Sequence, residues 1–107
     1  WNIRRTDAET DRWRAQLQAA DQLALSGEWA EALDALWESY DDWSRSQTYL
    51  HIVSHHDAVD DAEAMYRRAI AFAETEEITE FHAELSDLRD QLRLIAEIEA
   101  LNIRNVL

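Results

Sequence analysis

Apolar residues recur along this chain at three- and four-residue intervals, in four separate runs. Trp13, Leu17, Ala20 and Ala24 follow one another by four, three and four positions, the repeat of one face of an α-helix. This run predicts a helix over about 6–26. Thr6 or Asp7 caps it, with Glu9 three residues past Thr6 at capping-box spacing, and Ser26-Gly27 ends it. Gly27 is the only glycine in the chain and stands where a left-handed residue closes a helix. Trp29, Leu33, Leu36, Trp37, Tyr40 and Trp43 predict a second helix over about 28–46, with Glu31, Asp34, Glu38, Asp41 and Asp42 on its other side. Residues 44–50 read either as a loop or as a continuation to His51 or beyond. Val59, Ala62, Tyr66, Ala69, Ile70 and Ala73 mark a third helix over about 54–74, with Ser54 as cap and Asp57 at the capping-box position. Glu74-Thr75-Glu76-Glu77 is the connection, Thr75 the expected cap. A last helix over about 76–101 carries Ile78, Phe81, Leu85, Leu88, Leu92, Ile95 and Ile98. Asn102 is expected to turn left-handed there, and 103–107 to pack back on the body.

Four helices joined by such short connections define an all-α fold, an antiparallel up-down four-helix bundle forming a single domain over 1–107. Trp29, Leu33, Trp37, Phe81, Leu85 and Leu92 are expected inside, and Trp13 and Trp43 share that helical spacing. Gly27-Glu28-Trp29-Ala30-Glu31-Ala32-Leu33 reads like the opening of a tetratricopeptide helix pair, but no 34-residue period returns.

Composition narrows the class further. With one glycine and no proline in 107 residues, the turns that strands require are missing. Five Trp, three Tyr and two Phe supply a core that disordered chains lack. The formal charge of −13 repels phosphate backbones, so nucleic acid is not an expected partner, and anionic lipid surfaces are disfavoured for the same reason. A cationic partner, metal ions or solubility alone remain as uses for the acids. The absence of cysteine removes disulfides, thiolate metal sites and cysteine nucleophiles together. No apolar run reaches the roughly 20 residues that span a bilayer. The chain begins at Trp1 rather than Met, which leaves room for a preceding signal or anchor segment.

The histidines are the main candidate for chemistry. His51, His55 and His56 fall within six residues, and Asp57, Asp60, Asp61 and Glu63 follow. In a helix His56, Asp60 and Glu63 share one face, and with His55 they form a candidate zinc or manganese site, since imidazole and carboxylate are ordinary ligands of both metals. The alternative is that no cofactor binds and one histidine packs at the helix start. Neither His-Glu-x-x-His nor the Glu-x-x-His pairs of di-iron bundles occur. His82, beside Phe81, reads as a boundary residue. No serine lies in a glycine-rich elbow and no glycine loop cradles phosphate, so no enzymatic activity is expected.

Gly27-Glu28-Trp29-x-x-Ala32 opens one helix, Trp37 and Trp43 follow on it, then come His56-x-x-Val59-Asp60-x-Ala62-Glu63, a Leu-rich helix and a closing Asn105-Val106-Leu107. Over roughly 17–107 this order resembles the bacterial family catalogued as domain of unknown function 4363. The resemblance implies a small helical protein of Gram-positive bacteria, with a membrane anchor ahead of a domain on the extracytoplasmic side of the cell membrane. It implies no activity. Ala62 departs from the larger aliphatic residue of the family pattern, and His55 adds a second imidazole before His56. The resulting expectation is a non-catalytic interaction or structural module of the bacterial cell envelope, with an unidentified protein partner and membrane contact only through such an anchor. A metal-binding domain using His56, Asp60 and Glu63 is one alternative. A self-associating bundle that extends the Leu85–Leu101 stripe into a second copy is another.

Overall fold

The computed structural model describes the backbone of residues 3–53 and 56–106, and the side chains of 7–46, 57–102, 104 and 105. Within these residues the chain forms α1 (Ile3–Leu25), α2 (Trp29–Val53), α3 (His56–Glu74) and α4 (Ile78–Val106), with no strand. Each helix packs on its sequence neighbour and α1 also packs on α4, which closes the square of an antiparallel bundle. The molecule measures 47 × 23 × 19 Å. Its length is that of α4 alone, since 29 residues span about 44 Å.

Both hairpin turns are built alike. In the first, Gly27 N–H donates to Ala24 O (2.9 Å) and Glu28 N–H to Leu23 O (2.8 Å). In the second, Glu76 N–H donates to Ala73 O (3.1 Å) and Glu77 N–H to Phe72 O (2.9 Å). This is the Schellman pattern, and it requires a left-handed residue at the position after the cap. Gly27 has φ 79° there, and Glu76 has φ 55°. Glu28 and Glu77 then serve as N-caps, their carbonyls accepting from Ala32 (2.9 Å) and Phe81 (2.9 Å). Each three-residue link therefore ends one helix and starts the next.

The equivalence extends through the core. Thr10, Trp13, Leu17, Ala20, Ala24, Ala32, Leu36, Ser39 and Trp43 are all buried, and so is each residue 49 positions later: Val59, Ala62, Tyr66, Ala69, Ala73, Phe81, Leu85, Leu88 and Leu92. The bundle is thus two copies of one helical hairpin. Volume is exchanged between equivalent positions, Trp13 against Ala62 and Phe81 against Ala32, which keeps the core filled without repeating the sequence.

Several element ends differ from the pattern reading. α1 begins at Ile3, so Thr6 and Asp7 lie inside the helix rather than capping it. α2 runs through 44–50 to Val53. Ser44 Oγ donates to Asp41 O (3.2 Å) and Ser46 Oγ to Asp42 O (3.3 Å), so these hydroxyls are satisfied on the preceding turn and do not break the helix. Thr75 is not the cap of α4; its hydroxyl lies 2.7 Å from the Glu77 carboxylate beside the turn. α4 continues through Asn102 to Val106 instead of ending near 101, with no glycine or proline to stop it. Arg104, in its last turn, suits the negative end of the helix dipole. Trp1, Ser54 and His55 lie outside the described residues.

Candidate functional site

α3 places Val59, Ala62 and Tyr66 against the core, which turns Asp60 outward and leaves Glu63 half-buried beside α2. Glu63 is already committed. Its Oε1 accepts from Tyr40 OH (2.6 Å) and from Arg67 Nε (3.1 Å), bridging α2 and α3. That bond to Glu63, with burial, holds the Tyr40 phenol above its ordinary pKa. A metal bound through that oxygen would compete with both donors. Of the four candidate ligands, Asp60 and Glu63 are described; His55, and the side chain of His56, lie outside the described residues. No group of three His, Cys, Asp or Glu among the described residues is placed to hold a metal ion. His82 is exposed on α4 and its Nδ1–H donates to the Asp21 carboxylate of α1 (2.8 Å).

The interior holds polar groups that the hydrophobic pattern does not reveal. Ser39, fully buried on α2, donates to the Trp13 carbonyl of α1 (3.2 Å) and lies 2.8 Å from the Tyr66 hydroxyl of α3. Burial pushes the Tyr66 phenol far above its usual range, opposed by the Ser39 hydrogen bond. Tyr66 also stacks at a tilt on Trp43 (5.0 Å) and edge-on against Tyr40 (5.3 Å). This cluster ties three helices together. Glu99 on α4 is 2% exposed, and desolvation raises its pKa. No hydrogen bond or ion pair joins its carboxylate to a described residue.

Between α1 and α4 runs an open groove of about 520 Å³. Asp7, Asp11 and Arg14 form one wall, and Arg93, Glu97 and Arg104 the other. Its three guanidiniums and three carboxylates cancel, so it selects neither sign of ligand. On α4, Leu94 and Leu101 are exposed, seven residues apart on the side away from the core. Leu85, Leu88 and Leu92 of the stripe considered for self-association are buried within the chain itself.

The surface feature that stands apart is on α2. Trp37, expected in the core, is 42% exposed. The buried stripe of α2 is Ala32, Leu36, Ser39 and Trp43, and Trp37 follows Leu36 by one residue, about 100° round the helix. Trp29 and Leu33 are half-buried against the core rather than inside it. The Trp37 ring meets Tyr40 edge-on at 5.7 Å, and Tyr40 passes the contact inward to Trp43 (6.3 Å). Leu33 and Tyr40 flank Trp37 at i−4 and i+3, while Asp34 and Asp41 flank it at i−3 and i+4. Asp34, Glu38 and Asp41 are exposed. Three arginines of α1, α2 and α3 are engaged elsewhere: Arg45 NH2 donates to Asp42 (2.6 Å), Arg12 pairs with Asp42 (3.5 Å), and Arg67 holds Glu63. Sequence reading missed this surface because it ranked Trp37 by hydrophobicity; the signal available was Ala32 and Ser39, which share the face of Leu36 and Trp43 and push Trp37 off it.

A single chain of four helices packed as an antiparallel bundle, with an exposed tryptophan on an outer helix face, belongs to the class of small all-α domains. The chain belongs to the family described as Domain of unknown function (DUF4363), whose model matches residues 1–106. No curated protein and no solved structure matches it.

Proposed function

We propose that this domain is a non-catalytic helical interaction module of the bacterial cell envelope, which meets a protein partner through the outer face of α2 at Trp37. The observation that carries this reading is the exposure of Trp37 on a helix whose other described aromatics, Trp29, Tyr40 and Trp43, pack in or against the core. Tryptophan is the side chain most enriched at the energetic centres of protein interfaces. The Tyr40, Trp43 and Tyr66 rings behind Trp37 hold that face rigid, so little side-chain entropy is lost on binding. Placement at the envelope rests on the family resemblance, which implies an anchor ahead of the helical domain. No helix of the described residues is long and apolar enough to cross a membrane.

Site-specific photo-crosslinking in the native bacterium tests this. A photoreactive residue at position 37 should yield one discrete protein adduct, and the same residue at the exposed position 60 on α3 should not. Identical adducts from both positions, or none from position 37, would overturn the reading.

A further inference from the structure

We infer that the Trp37 face of α2 recognises a basic segment, one that presents arginine or lysine side chains to the indole. This rests on the proposal that the face is an interaction surface and names the chemistry of its partner. The indole lies between two unlike walls. Leu33 and Tyr40 offer apolar surface on one side, and Asp34 and Asp41 offer carboxylates one turn away on the other. An arginine or lysine has the matching shape. Its methylene stem lies along the apolar wall, its cationic head sits over the negative face of the ring, and the carboxylates accept its N–H groups. Asp34, Glu38 and Asp41 carry no ion pair or side-chain hydrogen bond to a described residue. In contrast, Asp21, Asp42, Glu63 and Glu84 are each bonded to a His or Arg of the chain.

The α2 face therefore combines an exposed aromatic ring with acids left unneutralised by folding. Among the described residues the other exposed large apolar side chains, Leu25, Leu94 and Leu101, lack that combination. Leu94 and Leu101 have no ring, and the groove beside them carries balanced charge. The net charge of −13 draws a basic partner towards the molecule from any direction, and the indole is what distinguishes this face from the remaining acids.

The test is a titration of the ¹⁵N-labelled chain with an acetylated, amidated tetra-arginine peptide at near-physiological salt. The Trp37 indole N–H is the reporter, assigned with Trp37→Phe. The expected result is a saturable shift of that signal together with the Asp34 and Asp41 amides. Trp37→Ala and the double substitution Asp34→Asn/Asp41→Asn should each weaken binding by about fivefold or more, while Asp60→Asn/Asp61→Asn changes it by less than about twofold. An equal loss from the α3 pair, or shifts spread evenly over all acidic faces, would mean diffuse charge attraction and would overturn the inference. So would a mass above 12.5 kDa in sedimentation that Trp37→Ala returns to monomer, since the face would then be taken by a second copy. A discrete crosslink at position 37 without tetra-arginine binding would leave the interaction module standing and overturn only the cationic partner.

Discussion

Gly27 and Glu76 hold the same place in the same turn, with φ of 79° and 55°, at the hinges of two equivalent hairpins. The backbone there demands a left-handed residue, and only one of the two turns supplies glycine. A Cβ at Gly27 would meet nothing within 4 Å, so any cost of a side chain is conformational.

Gly27→Ala should therefore destabilise the bundle by about 1 kcal/mol, and Glu76→Gly should stabilise it by up to about 1 kcal/mol, less the entropy glycine gains on unfolding. Denaturant midpoints of the two variants check this. The expectation fails if both move in the same direction.

Ser39 and Tyr66 provide a second test. Ser39→Ala strands the buried Tyr66 hydroxyl and should cost about 1 to 3 kcal/mol. Tyr66→Phe leaves Ser39 its bond to the Trp13 carbonyl and should cost about 1 kcal/mol. In a double-mutant cycle the pair should cost less than the two single changes together, because no orphaned hydroxyl remains.

Two carboxylates should give opposite pH signatures. Burial raises the pKa of Glu99 in the folded state, so on raising the pH the unfolded chain ionises first and stability falls until the folded group has also ionised. Glu99→Gln should then stabilise at neutral pH by about 1 kcal/mol and lose that advantage near pH 4, in thermal melts across pH. Asp42 is the reverse. Hydrogen bonds from Gln16 and Arg45 and the charge of Arg12 hold its pKa below the usual range. Its contribution is complete above the ordinary aspartate pKa and is lost as the pH falls through the lowered value. Asp42→Asn should cost about 1 kcal/mol at neutral pH, with the cost shrinking in acid.

Trp37 and Trp43 separate surface from core. Trp43→Ala, at a position 1% exposed, should cost about 3 to 5 kcal/mol, whereas Trp37→Ala should cost about 1 kcal/mol through the lost Tyr40 contact. Comparable losses in Tm would show that Trp37 is a packing residue.

Metal addition bears on the histidine-rich stretch. After EDTA, zinc, manganese or calcium should leave the Tm unchanged, because no three His, Asp or Glu among the described residues are placed to hold a metal ion and Glu63 Oε1 already accepts from Tyr40 and Arg67. A ligand at a hundred times its dissociation constant adds about 2.7 kcal/mol, several degrees in a domain of this size. A shift in the wild type that His56→Ala abolishes would instead establish a metal site.

The doubling of the hairpin shows how much a single sequence conceals. Ala20 and Ala69, Ala24 and Ala73, Glu28 and Glu77, and Leu36 and Leu85 repeat across the 49-residue offset. Trp13 and Ala62, or Ala32 and Phe81, do not resemble each other at all. Packing constrains the volume of a layer rather than the residue at each of its corners, so large and small exchange freely and the repeat fades. The candidate site was legible to the same degree. The acids of α2 and their spacing were plain, while the tryptophan between them was assigned to the interior.

The sequence by itself determined the class, the four helices, the left-handed turn at Gly27 and the buried stripes of α1, α3 and α4. These follow from local rules, since helical periodicity, lone glycines and missing prolines act within one element. Only the tertiary structure decided that Ser39 goes inside while Trp37 stays out, that Glu99 is buried, and that Glu76 accepts a glycine's conformation. Each of those outcomes depends on where a neighbouring helix or the next hairpin closes against the residue. Which of two adjacent side chains meets that neighbour is a matter of about 100° of rotation, not of hydrophobicity.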